Sequence, residues 1–309
     1  MTEDVTSEGA AAAAPPPAPP PAKNRALVRF APLGPDVALP CPVCNRRGVT
    51  HVSPYPSNEK PFRWATVLYC TRCGTGHVPD ADALLGDYYT ADYAAKNRRD
   101  RDTDPEAYFT AEPETLSMQR YFSRARAQVK ALRKQGAVFD RVLDFGSGPG
   151  YFLHASEAKS RFAVELDEAS AKYLSWLGAT RLNEDDLGSR AFDVIVASHV
   201  VEHLTATTLA PTIDRLVEAL EIGGHMLIEV PQAGHTYLRV NHRQDPHTLF
   251  FTPEGLRRAV VRPNLKILRA FQRSSGDSEP HPGAIYTPPD RPFYSGRGGG
   301  LTVIATRTR

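Results

Sequence analysis

Arg141-Val-Leu-Asp-Phe-Gly-Ser-Gly-Pro-Gly-Tyr-Phe-Leu153 reads as a short apolar strand, a glycine turn and the first turn of an amphipathic helix. Gly146 permits a tight reversal, Gly148 lets backbone approach a bound molecule, and Gly150 opens a helix whose unpaired N–H groups and dipole favour an anionic group. Spacing then narrows the ligand. A dinucleotide fingerprint, GxGxxG, asks for glycine or alanine where this chain has Tyr151, and no Lys-Ser/Thr follows as a phosphate-binding loop demands. Both dinucleotides and nucleoside triphosphates recede.

Downstream, Phe162-Ala-Val-Glu165-Leu-Asp167 is a second strand that reaches an acid 15 residues after Gly150. A short third strand leads to Asn183-Glu-Asp185-Asp186-Leu187, Phe192 to Ala197 is a fourth, and His225 to Val230 follows the Gly223-Gly224 turn as a fifth. Leu265 to Gln272 and Leu301 to Thr306 supply two more. Loop, acid and the Phe192-Asp-Val-Ile strand, in that order, resemble motif I and its successors in the class I S-adenosylmethionine (SAM) dependent methyltransferases, over roughly residues 137 to 309. The resemblance implies an α/β fold, a Rossmann-like seven-stranded sheet whose last two strands form an antiparallel edge. It implies SAM as cosubstrate, bound around Asp144, Gly146, Gly148 and Gly150, with Glu165 on both ribose hydroxyls. Asp185 or Asp186 would face the adenine amino group.

Methyl transfer is an in-line displacement at a sulfonium, so a nucleophile must be aligned and, for a hydroxyl or acidic carbon, deprotonated. In an open α/β sheet that chemistry lies at the carboxyl ends of the strands. His154, within the first helix, and His225, beginning its strand, therefore read as structural. His199, Glu202 and His203 follow the fourth strand directly, while His235, His242 and His247 lie in the connection after the fifth. His199-Val-Val-Glu202-His203 is similar to the E-x-x-E-H segment of ubiquinone-pathway O-methyltransferases and small-RNA 2′-O-methyltransferases, where those side chains hold a divalent ion. Here histidine replaces the first glutamate, and related methyltransferases carry E-H-L without metal. His247-Thr-Leu-Phe-Phe-Thr252 is similar to the H-x-x-Y-F-S stretch of sugar C-methyltransferases acting on nucleotide-linked deoxysugars, although Asp245 and Pro246 stand where those enzymes have histidine and glutamate, and their further C-terminal domain has no match in this chain. The expectation is a small-molecule or sugar-type acceptor, with His247 as base, His199 positioning acceptor or cofactor, and carbon, oxygen or nitrogen left open as the methylated atom.

Upstream, Cys41-Pro-Val-Cys44 and Cys70-Thr-Arg-Cys73 are two CxxC pairs separated by 25 residues, with Gly74 after the last. Four thiolates satisfy tetrahedral zinc and leave no open position, so the metal expected here is structural; a redox dithiol would need one pair. The strand formers from Trp64 to Tyr69 suit a zinc ribbon with one pair on a turn and the other after a strand. The same two-pair ribbon precedes the SAM domain in the sugar C-methyltransferases, and ribosomal RNA guanine methyltransferases also place a zinc module there.

Four segments are expected: an Ala/Pro-rich disordered tail (1–36), the ribbon (37–80), a tyrosine-rich stretch with a basic amphipathic helix (81–136), and the catalytic domain (137–309). Glu114 to Gln135 reads as one helix because Met118, Phe122, Ala125, Val129 and Leu132 recur at spacings of four, three, four and three. Its surroundings carry six basic residues (Arg120, Arg124, Arg126, Lys130, Arg133, Lys134) and no acid between Thr115 and Phe139. That face suits solvent or, in the competing reading, RNA. Against RNA stand the formal charge of +2 and the lack of an NPPY-type motif after the fourth strand. A third class, a scaffold that only binds SAM, is disfavoured by the histidines gathered at the active edge. With 41% apolar and 23% charged residues, 309 in all, the chain is a soluble globular mixture of about two domains. No apolar run approaches a membrane span, and no basic n-region precedes an apolar h-region, so a cytoplasmic location is expected. The stretch 274–300, with five prolines and six glycines, is long for a hairpin connection.

Overall fold

The computed structural model describes residues 31–32, 39–47, 50–55, 62, 65–79, 81–85, 103–110, 116–233, 246–274 and 299–309. Most of the N-terminal tail, Trp64, the tyrosines at 88, 89 and 93, His235, His242 and residues 275–298 lie outside them.

The larger sheet has seven strands: β5 (Arg141–Phe145), β6 (Ser160–Val164), β7 (Thr180–Arg181), β8 (Phe192–Ser198), β9 (Leu220–Pro231), β11 (Leu265–Ser274) and β12 (Gly299–Arg307), in the order β11-β12-β9-β8-β5-β6-β7. β7, β6, β5, β8 and β9 pair in parallel, and the central β5 and β8 are near-continuous apolar runs, as suits strands covered on both faces. Side-chain alternation divides the core. Leu143, Phe145, Ile195 and Ala197 face one way, onto α5 (Leu209–Ala219) and α6 (Pro253–Val260). Val142, Val194 and Val196 face the other, onto α2 (Leu116–Arg133), α3 (Tyr151–Ser156) and α4 (Ala171–Trp176).

The last two strands pair antiparallel at one edge of the sheet, as expected: β12 lies between β9 and β11 and runs antiparallel to both, so the outermost strand β11 points the same way as the parallel strands. An antiparallel β11–β12 pair that docks by its second strand can give no other order.

The expected helix over 114–135 is α2, and its stripe of Phe122, Ala125, Val129 and Leu132 is buried. It stops where Gly136 takes φ 86°, with the Ala137 N–H returning to the Leu132 carbonyl. Helix α1 (Pro105–Thr110) packs its Tyr108 and Phe109 onto α3 and α4. None of the described helices is long and apolar enough to cross a membrane.

The smaller sheet is antiparallel, β1 (Ala31–Pro32), β2 (Thr50–Pro54), β3 (Thr66–Cys70), β4 (Gly76–His77) and β10 (Leu249–Phe250). Its cysteine pairs sit as the spacing suggests, Cys41 and Cys44 at a turn, Cys70 ending β3 with Cys73 in the turn beyond. Its fifth strand, however, comes from beyond residue 80, in the segment that follows β9.

Candidate active site

At the end of β5 the chain turns through Gly146 (φ 72°), Gly148 (φ 53°) and Gly150 (φ 94°), backbone that favours glycine. A Cβ on Gly146 would stand 2.6 Å from Val200 Cγ2, so the turn also depends on having no side chain. Glu165, just past β6, accepts from the Gly148 N–H at 2.5 Å through one carboxylate oxygen and from the Asp167 N–H at 2.8 Å through the other. It therefore braces the glycine loop and keeps lone pairs for further donors. Asp144 is buried, and burial, aided by the Glu165 charge, pushes its carboxyl up to about 8.

Across the carboxyl end of β8 stands the second half of the site. His199 takes φ 58° and donates its N–H to the Glu229 carbonyl at 2.8 Å. Its Nδ1 lies 3.5 Å from Glu202 and its Nε2 3.6 Å from Glu229. Burial opposes protonation, but the two carboxylates outweigh it and raise its pKa. Glu202 is 1% exposed, and neither of its oxygens has a hydrogen-bond partner. Burial would raise it, yet His199, His203 and His247 hold it down to about 2. His203 is lowered by burial, and His247 is lowered to about 3 by burial and then by His203. The rings of His203 and His247 meet edge to face at 4.8 Å. The site thus holds a buried carboxylate beside one imidazole whose protonated form is favoured and two whose neutral form is favoured.

The glycine loop and this cluster line one cavity of about 470 Å³, the size of a small-ligand site. Asp144, Gly146, Gly148, His199, Glu202, His203 and His247 all face it. Gly150 instead caps α3, and Glu165 acts through the loop. Asp185 and Asp186 are not brought to the cavity: Asp185 is exposed 3.5 Å from Arg215, and Asp186 accepts from Asn183.

The opposite wall was not anticipated. Tyr121, Arg124 and Gln128 of α2 line it, Gln128 donating to Ser198 Oγ at 2.8 Å and Arg124 standing 3.8 Å from Glu229. Their i, i+3, i+7 spacing is a polar stripe beside the apolar one, a legible signal. Tyr108 and Tyr151, joined hydroxyl to hydroxyl, close the end near Pro149.

The four cysteine sulfurs lie within 4.8 Å of one another, with Cys41 Sγ 3.6 Å from Cys73 Sγ and Cys44 Sγ 3.5 Å from Cys70 Sγ. Four sulfurs at about 2.3 Å from one tetrahedral ion would be about 3.8 Å apart. Contacts with its sulfur neighbours, then burial, push Cys41 far up, while the same contacts pull Cys70 far down. Four thiols so close cannot all ionise without a cation between them, and the donor set is one that suits zinc.

Residues 117–270 match the model of a family described as a methyltransferase domain. Among solved structures the chain is similar to magnesium protoporphyrin IX methyltransferase from Synechocystis PCC 6803, at 14% identity and TM-score 0.47, covering 74% of this chain and 100% of that one. It is also similar to the N-methyltransferase NodS from Bradyrhizobium japonicum WM9 (15% identity, TM-score 0.45, 68% and 96% covered) and to a SAM-dependent methyltransferase from Clostridium acetobutylicum (12%, 0.45, 61% and 92%). No curated protein gave a significant match.

Proposed function

We propose, from the premise that this chain is a SAM-dependent methyltransferase, that it methylates a small-molecule acceptor and that His247 takes the acceptor's proton. One observation carries the reading: the glycine loop and the His199-Glu202-His203-His247 cluster share a single cavity of about 470 Å³.

SAM, when bound by the loop, supplies an electrophilic methyl group. The rest falls to the chain. Glu165 holds Gly148 in place and presents its free lone pairs to the ribose hydroxyls. His247, neutral at pH 7, can accept a proton, and the imidazolium so formed stands 3.9 Å from the Glu202 carboxylate, whose oxygens accept no hydrogen bond. His199, held between Glu202 and Glu229, fixes the carboxylate and borders the acceptor.

A small acceptor is favoured over RNA by the placement of the basic residues. Arg126, Lys130, Arg133 and Lys134 border a separate hollow on α2, about half a helical turn round from the Arg124 and Gln128 face that meets the cavity. A strand bound there would have a helix between it and the transfer site. A second reading rests on the buried Glu202 carboxylate, which accepts no hydrogen bond: Glu202, His203 and His247 each offer a ligand atom within 4.8 Å of the others, a set that fits a divalent ion able to acidify an acceptor hydroxyl.

The test is release of S-adenosylhomocysteine (SAH) with a panel of hydroxylated small molecules and nucleotide sugars, beside ribosomal RNA. The expected result is turnover with a small molecule, reduced about a hundredfold or more in His247→Ala while SAM affinity holds. Turnover with RNA alone, falling steeply with salt, would overturn the small-molecule reading. Activity lost to a chelator and restored by magnesium or manganese selects the metal reading.

A further inference from the structure

His247 stands two residues before β10, and much of what fixes its backbone comes from the four-cysteine sheet. Tyr55, directly after β2, donates its phenolic hydrogen to the His247 carbonyl at 2.8 Å. The Val78 N–H, just past β4, donates to the Thr248 carbonyl at 2.9 Å. Then β10 pairs with β4, Leu249 opposite His77 and Phe250 opposite Gly76. Thr252 donates its hydroxyl to the Cys73 carbonyl at 2.5 Å while accepting the Gly255 N–H at 3.0 Å, and so ties a cysteine turn to the start of α6.

The packing agrees with the bonds. Phe250 is fully buried, and its neighbours are Tyr55, Phe62, Val67, Tyr69 and Val78 of the ribbon. The core of the ribbon therefore closes on a side chain from the catalytic half. On its other side the same segment meets the turn that carries the site: Thr248 donates its N–H to the Glu202 carbonyl at 2.9 Å and its hydroxyl to the Leu204 carbonyl at 2.5 Å.

We propose that the four-cysteine ribbon is a positioning element of the methyl-transfer site, with Tyr55 and Thr252 as its positioning residues, so that the ribbon's folded, metal-loaded state sets where His247 stands relative to Glu202. This rests on the reading in which His247 serves the reaction. Residues 246–252 contain one two-residue strand, too short to hold a geometry alone, and a displacement of about 1 Å at a reacting group can cost about a hundredfold. The glycine loop is independent of this arrangement, because it bonds to Val164 and Glu165 at the end of β6.

Hydrogen–deuterium exchange on the full chain tests the coupling, with SAH calorimetry alongside. Stripping the metal with a strong zinc chelator should speed exchange in peptides spanning 39–79 and equally in those spanning 247–252. Peptides spanning 141–150 should stay protected, and SAH affinity should stay within about twofold. Tyr55→Phe should keep its metal and its protection over 66–77 yet exchange about tenfold faster at 247–249. It should also move the ring resonance of His247, assigned with His247→Gln, and leave those of His154 and His225 in place. Thr252→Val should act likewise, with Thr252→Ser restoring protection. Unchanged protection of 247–252 after chelation and in both variants, or an unmoved His247 ring, would overturn the proposal. So would loss of SAH affinity on chelation, because the ribbon would then be holding the whole fold. Failure of the underlying reading shows separately, as undiminished methyl transfer in His247→Ala.

Discussion

Asp144 lies buried behind the glycine loop, close enough to Glu165 to feel its charge. Burial and the Glu165 charge raise Asp144 to about 8, above the roughly 3.9 of an unfolded aspartate, so the folded protein holds a proton there that the unfolded chain has released. Stability of the free enzyme is then greatest below about pH 4 with respect to this group. It is lost as pH rises through about 8, at up to about 1.4 kcal/mol per pH unit. Asp144→Asn keeps the shape without the charge. Thermal melts should therefore show the variant gaining on the parent by several degrees between pH 5 and pH 8.5; parallel pH profiles would refute this. Glu165→Ala should weaken SAH binding by about tenfold to a hundredfold in calorimetry. It removes the brace on Gly148 together with charge-assisted acceptors worth about 1.5–3 kcal/mol each.

Strands β5, β6, β8, β9, β11 and β12 were legible because each is an apolar run or an apolar–polar mixture rich in strand formers, and α2 was legible through its 3.6-residue stripe. Which of the last two strands lies outermost was not, since pairing between distant segments leaves no local trace. The glycine loop and the three histidines could be placed from the rule that chemistry gathers at strand ends. Asp185 and Asp186 stand away from the cavity lining because an acid after a third strand is defined by its order in the chain, whereas its direction depends on the 3-10 turn Glu184–Ser189 in which it sits. Arg124 was read with its five basic neighbours as one charged face, although it turns toward Glu229 while they are exposed. The loop also passes close to Val200, in the turn after β8. In Gly146→Ala the new methyl would meet Val200 at 2.6 Å with the backbone at φ 72°, costing about 1–2 kcal/mol for conformation alone. The melting temperature should fall by several degrees and SAH affinity with it. Gly146→Ala with Val200→Ala should recover the steric part, and no recovery would place the fault in the backbone.

For the whole molecule, the ribbon core closes on Phe250 from the catalytic half, so damage at that seam should reach the ribbon. The purified chain should carry one zinc, and Phe250→Ala, which empties a fully buried site, should cost about 3–5 kcal/mol and weaken zinc retention although it changes no cysteine. Metal analysis with a chelator competition checks both, and zinc retention equal to the parent's would show that the cores are separable. The wedged strand β12 carries a different consequence, one that concerns time. It separates β9 from β11, yet the ribosome makes it after both. While the chain is still being synthesised, β9 offers an open edge that β11 cannot cover without taking the wrong neighbour. The central sheet therefore closes only once residue 307 has left the exit tunnel, and through the 76 residues made between the end of β9 and that point the nascent protein carries a half-finished template with one raw edge.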